Sequence, residues 1–143
     1  MSELLAFEMH QISMAPTLMP GDILLVEKDI SSHFIARGDI ILFKELSQKT
    51  IWTAHRVIGF NAKGFPWIVK GDRNIRTDSP SPSAVFGGKV ICRVRSGKAK
   101  QIRFKRLFWI LNRYNLFPGQ NLPKCLSRTF LQNLFHSLSK NFS

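Results

Sequence analysis

From residue 8 to residue 95 the apolar positions come as short runs of Ile, Val, Phe and Trp, each closed by turn-forming residues. This pattern predicts strands over residues 7–12, 23–27, 39–43, 52–60, 67–70 and 89–94. Asn61, Ala62, Lys63 and Gly64 make a hairpin-length loop, with Gly64 able to take a positive φ, so the strand bearing His55 should pair with the one leading to Asp72. His10 is expected to share a strand with Ser13. Pro80 and Pro82, set among Ser79, Ser81 and Ser83, predict an exposed loop. Past Gly97 the period changes. Phe104, Leu107, Phe108, Leu111 and Tyr114 recur at helical spacing over residues 103–117, beside Lys105, Arg106, Asn112 and Arg113, and Pro118 with Gly119 ends the run. A second amphipathic helix opens with Pro123 in its first turn and gathers Leu126, Phe130, Leu131, Leu134, Phe135 and Leu138 on one side. The expected architecture is mainly β: an antiparallel β domain over residues 1–97, followed by a basic amphipathic helical extension over residues 98–143.

Charge sharpens that division. The net charge is +12, yet residues 1–78 hold all nine Asp and Glu with nine Lys or Arg and so sum to zero. The other twelve of the 21 Lys and Arg lie beyond residue 78 with no acid among them. Such asymmetry points to an anionic surface: the two helices either dock on a membrane surface or pack their apolar faces on the β domain and leave a basic exterior, and RNA, which calls for aromatics on an open sheet, fits less well. No nucleic-acid partner is expected. The longest apolar stretch, residues 107–111, is far short of the ~20 residues a spanning helix needs, and the first ten residues do not read as a secretory signal. Cys92 and Cys125 lack partners at metal-ligand spacing, so neither a zinc site nor a disulfide framework is indicated, and a reducing compartment fits. No metal or cofactor is expected. The localisation these features suggest is cytoplasmic or peripheral to a membrane.

Three segments hold candidate chemistry. Ser13 opens SMAPTLMPGD, where Pro16 and the Pro20-Gly21 turn can hold its hydroxyl in a rigid bend. A serine nucleophile needs a base beside it and donors for the oxyanion. His55, in AHRVIGF, is the leading base, because histidine exchanges protons near neutral pH. A base histidine needs an acceptor at its other ring nitrogen, and VKGDRNIRTD offers Asp72 and Asp78, either of which could serve. Taken singly, Ser13 and Asp72 read as turn residues, Asp78 as a cap and His55 as a structural strand histidine.

In order and spacing the three segments together resemble the signal peptidase family of serine proteases, in particular its histidine-containing branch of archaea, spore-forming bacteria and the endoplasmic reticulum. The matching elements are the box at residues 13–17, Gly21-Asp22, the segment Arg37 to Asp39 in place of the family's Arg-x-Gly-Asp-like strand entry, His55-Arg56-Val57 and Lys70-Gly71-Asp72, then Gly88, Lys89 and Val90 in the last strand. The resemblance spans about residues 8–95. It implies Ser13 as nucleophile, His55 as base and Asp78 as the acid of the triad, with Asp72 a supporting carboxylate. It also implies an antiparallel β domain that binds an extended leader peptide or preprotein along a strand edge, cleaved after small residues. Ile12 and Gln11 depart from the Gly and Ser that the family commonly places there. The oxyanion donors expected here are therefore the Ser13 N–H and the Gln11 amide. The family's N-terminal membrane helix has no counterpart in the twelve residues before Ser13. A self-cleaving repressor shares the serine box but uses a lysine base and an upstream DNA-binding domain. A non-catalytic module that binds peptide or membrane on the same fold is the remaining alternative.

Overall fold

The computed structural model describes residues 3–48, 51–63, 65–102 and 105–114. Seven strands form one antiparallel sheet: β1 (Leu4–Glu8), β2 (Ile23–Glu27), β3 (Ile40–Lys44), β4 (Thr53–Phe60), β5 (Trp67–Lys70), β6 (Val85–Arg95) and β7 (Lys98–Gln101). Their spatial order is β1-β2-β6-β3-β4-β5, and β7 also pairs with β6. The eleven-residue β6 is long enough to take β3 along its first half and β7 along its second, while β2 runs on its other side. One helix, α1 (Lys105–Arg113), follows.

Strand β3 is buried along residues 40–43 because both of its faces are covered. Ile40 and Leu42 enter a cluster with Met14, Leu18, Leu24, Val26 and Val90, whereas Ile41 and Phe43 enter another with Val57, Phe65, Trp67 and Val69. The segment between β1 and β2 contributes to the first cluster. Met14 and Leu18 are both fully buried, and Leu18 N–H donates to the Met14 carbonyl at 3.0 Å, so this proline-punctuated loop is a helical turn plugged into the core. Its ends are tied by Met9 N–H to Asp22 O at 2.8 Å and Gly21 N–H to Met9 O at 2.7 Å.

The two Gly-Asp pairs are built alike. Gly21 (φ 89°) and Gly38 (φ 91°) turn the chain where a side chain would be strained. The following carboxylate then accepts an N–H from three residues back: Asp22 from Met19 at 2.8 Å, Asp39 from Ala36 at 2.9 Å. Each aspartate also takes a cation from β6, Arg95 at 2.7 Å and Lys89 at 2.9 Å respectively. The same short motif thus launches β2 and β3 and ties both to the central strand.

Several expectations need correcting. The first strand is Leu4–Glu8, so His10 and Ser13 lie in the loop after it and share no strand. The last strand, expected over residues 89–94, begins at Val85 and runs to Arg95, because the β3–β6 register shifts between Leu42 and Phe43 and absorbs the Gly87-Gly88 pair as an irregularity. Strand β7 has four exposed residues and no apolar alternation, and it forms because Ser96 (φ 49°) and Gly97 (φ 73°) make a tight hairpin turn. The sheet therefore continues beyond residue 97. The proline-rich loop is exposed at Ser79, Pro82 and Ser83 as expected, but Pro80 is buried and Ser81 is bonded to Glu45, so the loop is anchored. In α1, Leu111 is buried and the Trp109 indole N–H donates to the Ile58 carbonyl at 3.1 Å, which seats the helix on β4. Tyr114, expected on the apolar face, is 66% exposed because it lies past the helix end. Gly64 and the second amphipathic helix lie outside the described residues.

Candidate active site

Ser13 sits near the start of the buried turn, and its carbonyl accepts the Arg73 N–H at 2.8 Å. Gly71 makes that approach possible: a Cβ on it would lie 2.6 Å from the Ser13 carbonyl oxygen and 2.8 Å from Nδ2 of Asn74. The loop that follows β5 therefore packs directly on the serine loop. His55 comes from the middle of β4, opposite Ile41, with its ring edge-on to Phe43 at 6.0 Å between centroids. Asp78 is fixed by a two-way backbone pairing with Val69 of β5, Asp78 N–H to Val69 O at 2.7 Å and Val69 N–H to Asp78 O at 3.2 Å.

These three elements bring three side chains into line. Ser13 Oγ lies 3.0 Å from His55 Nε2, and His55 Nδ1 lies 2.6 Å from Asp78 Oδ2. Neither Nδ1 nor that carboxylate oxygen has an aligned hydrogen bond, so the contact is a close polar approach off the ring N–H axis. With a carboxylate at Nδ1, the proton belongs on that nitrogen, which leaves Nε2 to accept from the serine hydroxyl. His55 is buried at 6% exposure, whereas the Asp78 side chain is 42% exposed. The three border an open cleft of about 720 Å³, whose wall includes Gln11 and Asn74. A second groove of about 510 Å³, walled by residues of β1 and by Trp52, meets it at Gln11.

Asp72 faces elsewhere. Arg56 Nε and Nη2 grip its two oxygens at 2.8 and 2.7 Å, the Thr17 hydroxyl donates to Oδ2 at 2.6 Å, and Arg56 Nη1 donates to the Gly38 carbonyl at 2.8 Å. Arg56 and Asp72 are both fully buried. The histidine and the arginine are adjacent on β4 and so leave the sheet on opposite sides, each with its own carboxylate. Sequence alone left open which aspartate meets the histidine; in the structure Asp78 does. Lys70 lies directly across from Arg56, one residue out of phase with His55, and shares the side of the sheet that Arg56 takes. Burial pushes its ammonium below the ordinary lysine range, Asp72 offsets part of this, and Arg113 adds to it.

A family model described as signal peptidase, peptidase S26, matches residues 2–62. The chain is signal-peptidase-like. That match takes in the serine loop, both Gly-Asp turns and His55, and the signal-peptidase-like segment ends before Asp72 and Asp78. Searches of curated proteins and of solved structures gave no match. Two residues of the cleft carried no signal in the sequence. Glu45 follows β3 and bonds Ser81 across the cleft wall, and Asn74 lies in the loop that presses on Ser13. Thr17 was visible only as part of the serine box.

Proposed function

We propose that the chain is a serine endopeptidase that cleaves a leader or signal peptide by a Ser-His-Asp mechanism. The observation that carries this reading is the run of contacts from Ser13 Oγ to His55 Nε2 at 3.0 Å and from His55 Nδ1 to Asp78 at 2.6 Å, open to a cleft. His55 takes the serine proton as Oγ attacks the scissile carbonyl, forming the acyl-enzyme, and returns the proton to the leaving amine. Asp78 stabilises the imidazolium that forms in between. The Ser13 N–H supplies one oxyanion donor, and the Gln11 side-chain amide, at the junction of cleft and groove, supplies the second. Asp72 acts through Thr17 and Arg56 as a positioning carboxylate beneath the serine loop. An extended peptide is the substrate form that suits the groove beside β1.

Among the described residues no helix is long and apolar enough to cross a membrane. The twelve Lys and Arg beyond residue 78 favour work at an anionic membrane surface, although Leu111 and Trp109 of α1 are engaged with the sheet. A peptide- or membrane-binding module without turnover is the competing reading.

Labelling with a fluorophosphonate separates the two. The wild-type chain should be labelled at Ser13. Ser13→Ala should abolish labelling, and His55→Ala should slow it by about four orders of magnitude or more while leaving the fold intact. A wild-type chain that stays unlabelled, or a His55→Ala chain labelled at the wild-type rate, rules out the mechanism.

A further inference from the structure

We propose that Glu45 makes the cleft select peptides with a lysine or arginine about two residues from the bond to be cleaved, an inference that rests on reading this cleft as an endopeptidase site. Among the described residues, the wall beside Ser13 and His55 contains two carboxylates, Asp78 and Glu45, and no lysine or arginine. Among those residues the groove beside β1 likewise has no lysine or arginine in its wall. That is unusual company in a chain with 21 Lys and Arg and a net charge of +12. Asp78 is engaged by His55. Glu45 forms no ion pair among the described residues, in contrast to Glu3, Asp22, Asp39 and Asp72.

Its carboxylate is nevertheless held in place. The Ser81 N–H donates to Oε1 at 2.8 Å and the Ser81 hydroxyl to Oε2 at 2.5 Å. These two donors fix the group in the wall without cancelling its charge, and each oxygen keeps a further acceptor position. A half-buried anion so arranged raises the local affinity for a cation. Position follows from the strand. Phe43 touches the His55 ring, and Glu45 comes two residues later, so at about 3.3 Å per residue it lies roughly 7 Å along the cleft, near two residues of an extended peptide. Phe43 and Pro80 give the aliphatic stem of a lysine or arginine an apolar wall.

Binding by the full-length Ser13→Ala chain tests selection apart from chemistry. Short blocked peptides with a small residue at the centre would carry lysine, norleucine or aspartate at each of the three positions on either side, with affinity read by fluorescence anisotropy. At one position lysine should bind about fivefold tighter than norleucine, and aspartate should bind more weakly than norleucine. Glu45→Gln, which can keep the bonds to Ser81, should bring the lysine-to-norleucine ratio to about one. A ratio near one at every position with Glu45 present, or a ratio that survives Glu45→Gln, overturns the proposal. The ordering of lysine, norleucine and aspartate tests it even if the variant fails to fold. Selective binding with no cleavage by the wild-type chain would instead count against the endopeptidase reading.

Discussion

Removing Asp72 and removing Asp78 should have opposite consequences, although the two carboxylates are only six residues apart. Asp72→Ala deletes the partner of a guanidinium that has no exposed surface and leaves the Arg56 charge buried with the Gly38 carbonyl at 2.8 Å and the Thr17 hydroxyl at 3.5 Å. Breaking a buried pair from one side costs about 3–5 kcal/mol, a large share of the roughly 5–15 kcal/mol that holds a domain folded. Arg56→Met removes the two-pronged guanidinium contact, leaves the Asp72 carboxylate buried beside the Thr17 hydroxyl, and should cost a similar amount. The double variant Arg56→Met with Asp72→Leu removes both charges and refills the space, so its cost should fall about 3 kcal/mol or more short of the summed single costs. Asp78→Ala should cost less than about 1 kcal/mol, because that side chain is 42% exposed and its partner is a histidine that can stay neutral. Yet Asp78→Ala should slow fluorophosphonate labelling more than Asp72→Ala does once each rate is corrected for the folded fraction. Urea titrations followed by tryptophan fluorescence measure all four stabilities, with an unchanged slope as the check that the midpoint reports stability. An Asp72→Ala chain within about 1 kcal/mol of wild type, or single costs that simply add, would refute the buried-pair argument.

Two further perturbations test the supports of the site. Gly71→Ala forces a methyl to within 2.6 Å of the Ser13 carbonyl, so it should cost about 1–3 kcal/mol of stability and slow labelling at Ser13 roughly tenfold or more; wild-type labelling would show that the loop yields without moving the serine. Burial alone would raise the Asp22 carboxyl, but hydrogen bonds from Arg95 and from the Met19 N–H, with the charges of Arg95 and Arg93, outweigh it and hold the group below its ordinary 3.8. Near that value the unfolded chain binds more protons than the folded one, so this stabilisation is complete above it and is lost as pH falls through the lower folded value. Asp22→Asn should therefore be less stable than wild type at neutral pH by about 1.5–3 kcal/mol, with the gap narrowing as pH falls below 3.8; a gap independent of pH would contradict the assignment.

Strands β2 and β5 were legible to the residue, because each is a short apolar run bounded by turn residues, and β4 was missed by one residue at its start. β7 was not legible. Its residues 98–101 are all exposed, so no alternation of apolar and polar marks it, and only the paired positive φ values at Ser96 and Gly97 create it. The serine box looked like an ordinary proline turn. What makes it rigid is the burial of Met14 and Leu18 against Ile40, Leu42 and Val90, which come from strands 20 to 80 residues away and cannot be inferred from spacing. The site shows the same limit at finer scale. Ser13, His55 and both aspartates stood out in the sequence, but nothing in VKGDRNIRTD distinguishes one carboxylate's partner from the other's. The distinction comes from the residue beside the histidine. Alternation along β4 sends His55 to one side of the sheet and Arg56 to the other, and a guanidinium driven fully inside must take a carboxylate with it. Asp72, next to Gly71 at the end of β5, reaches it across the strand pair that sets Arg56 opposite Lys70. Asp78 remains for the histidine because its backbone returns to pair with Val69. The His-Arg dipeptide thus sets two carboxylate contacts at once, and the buried cation decides which acid the histidine receives.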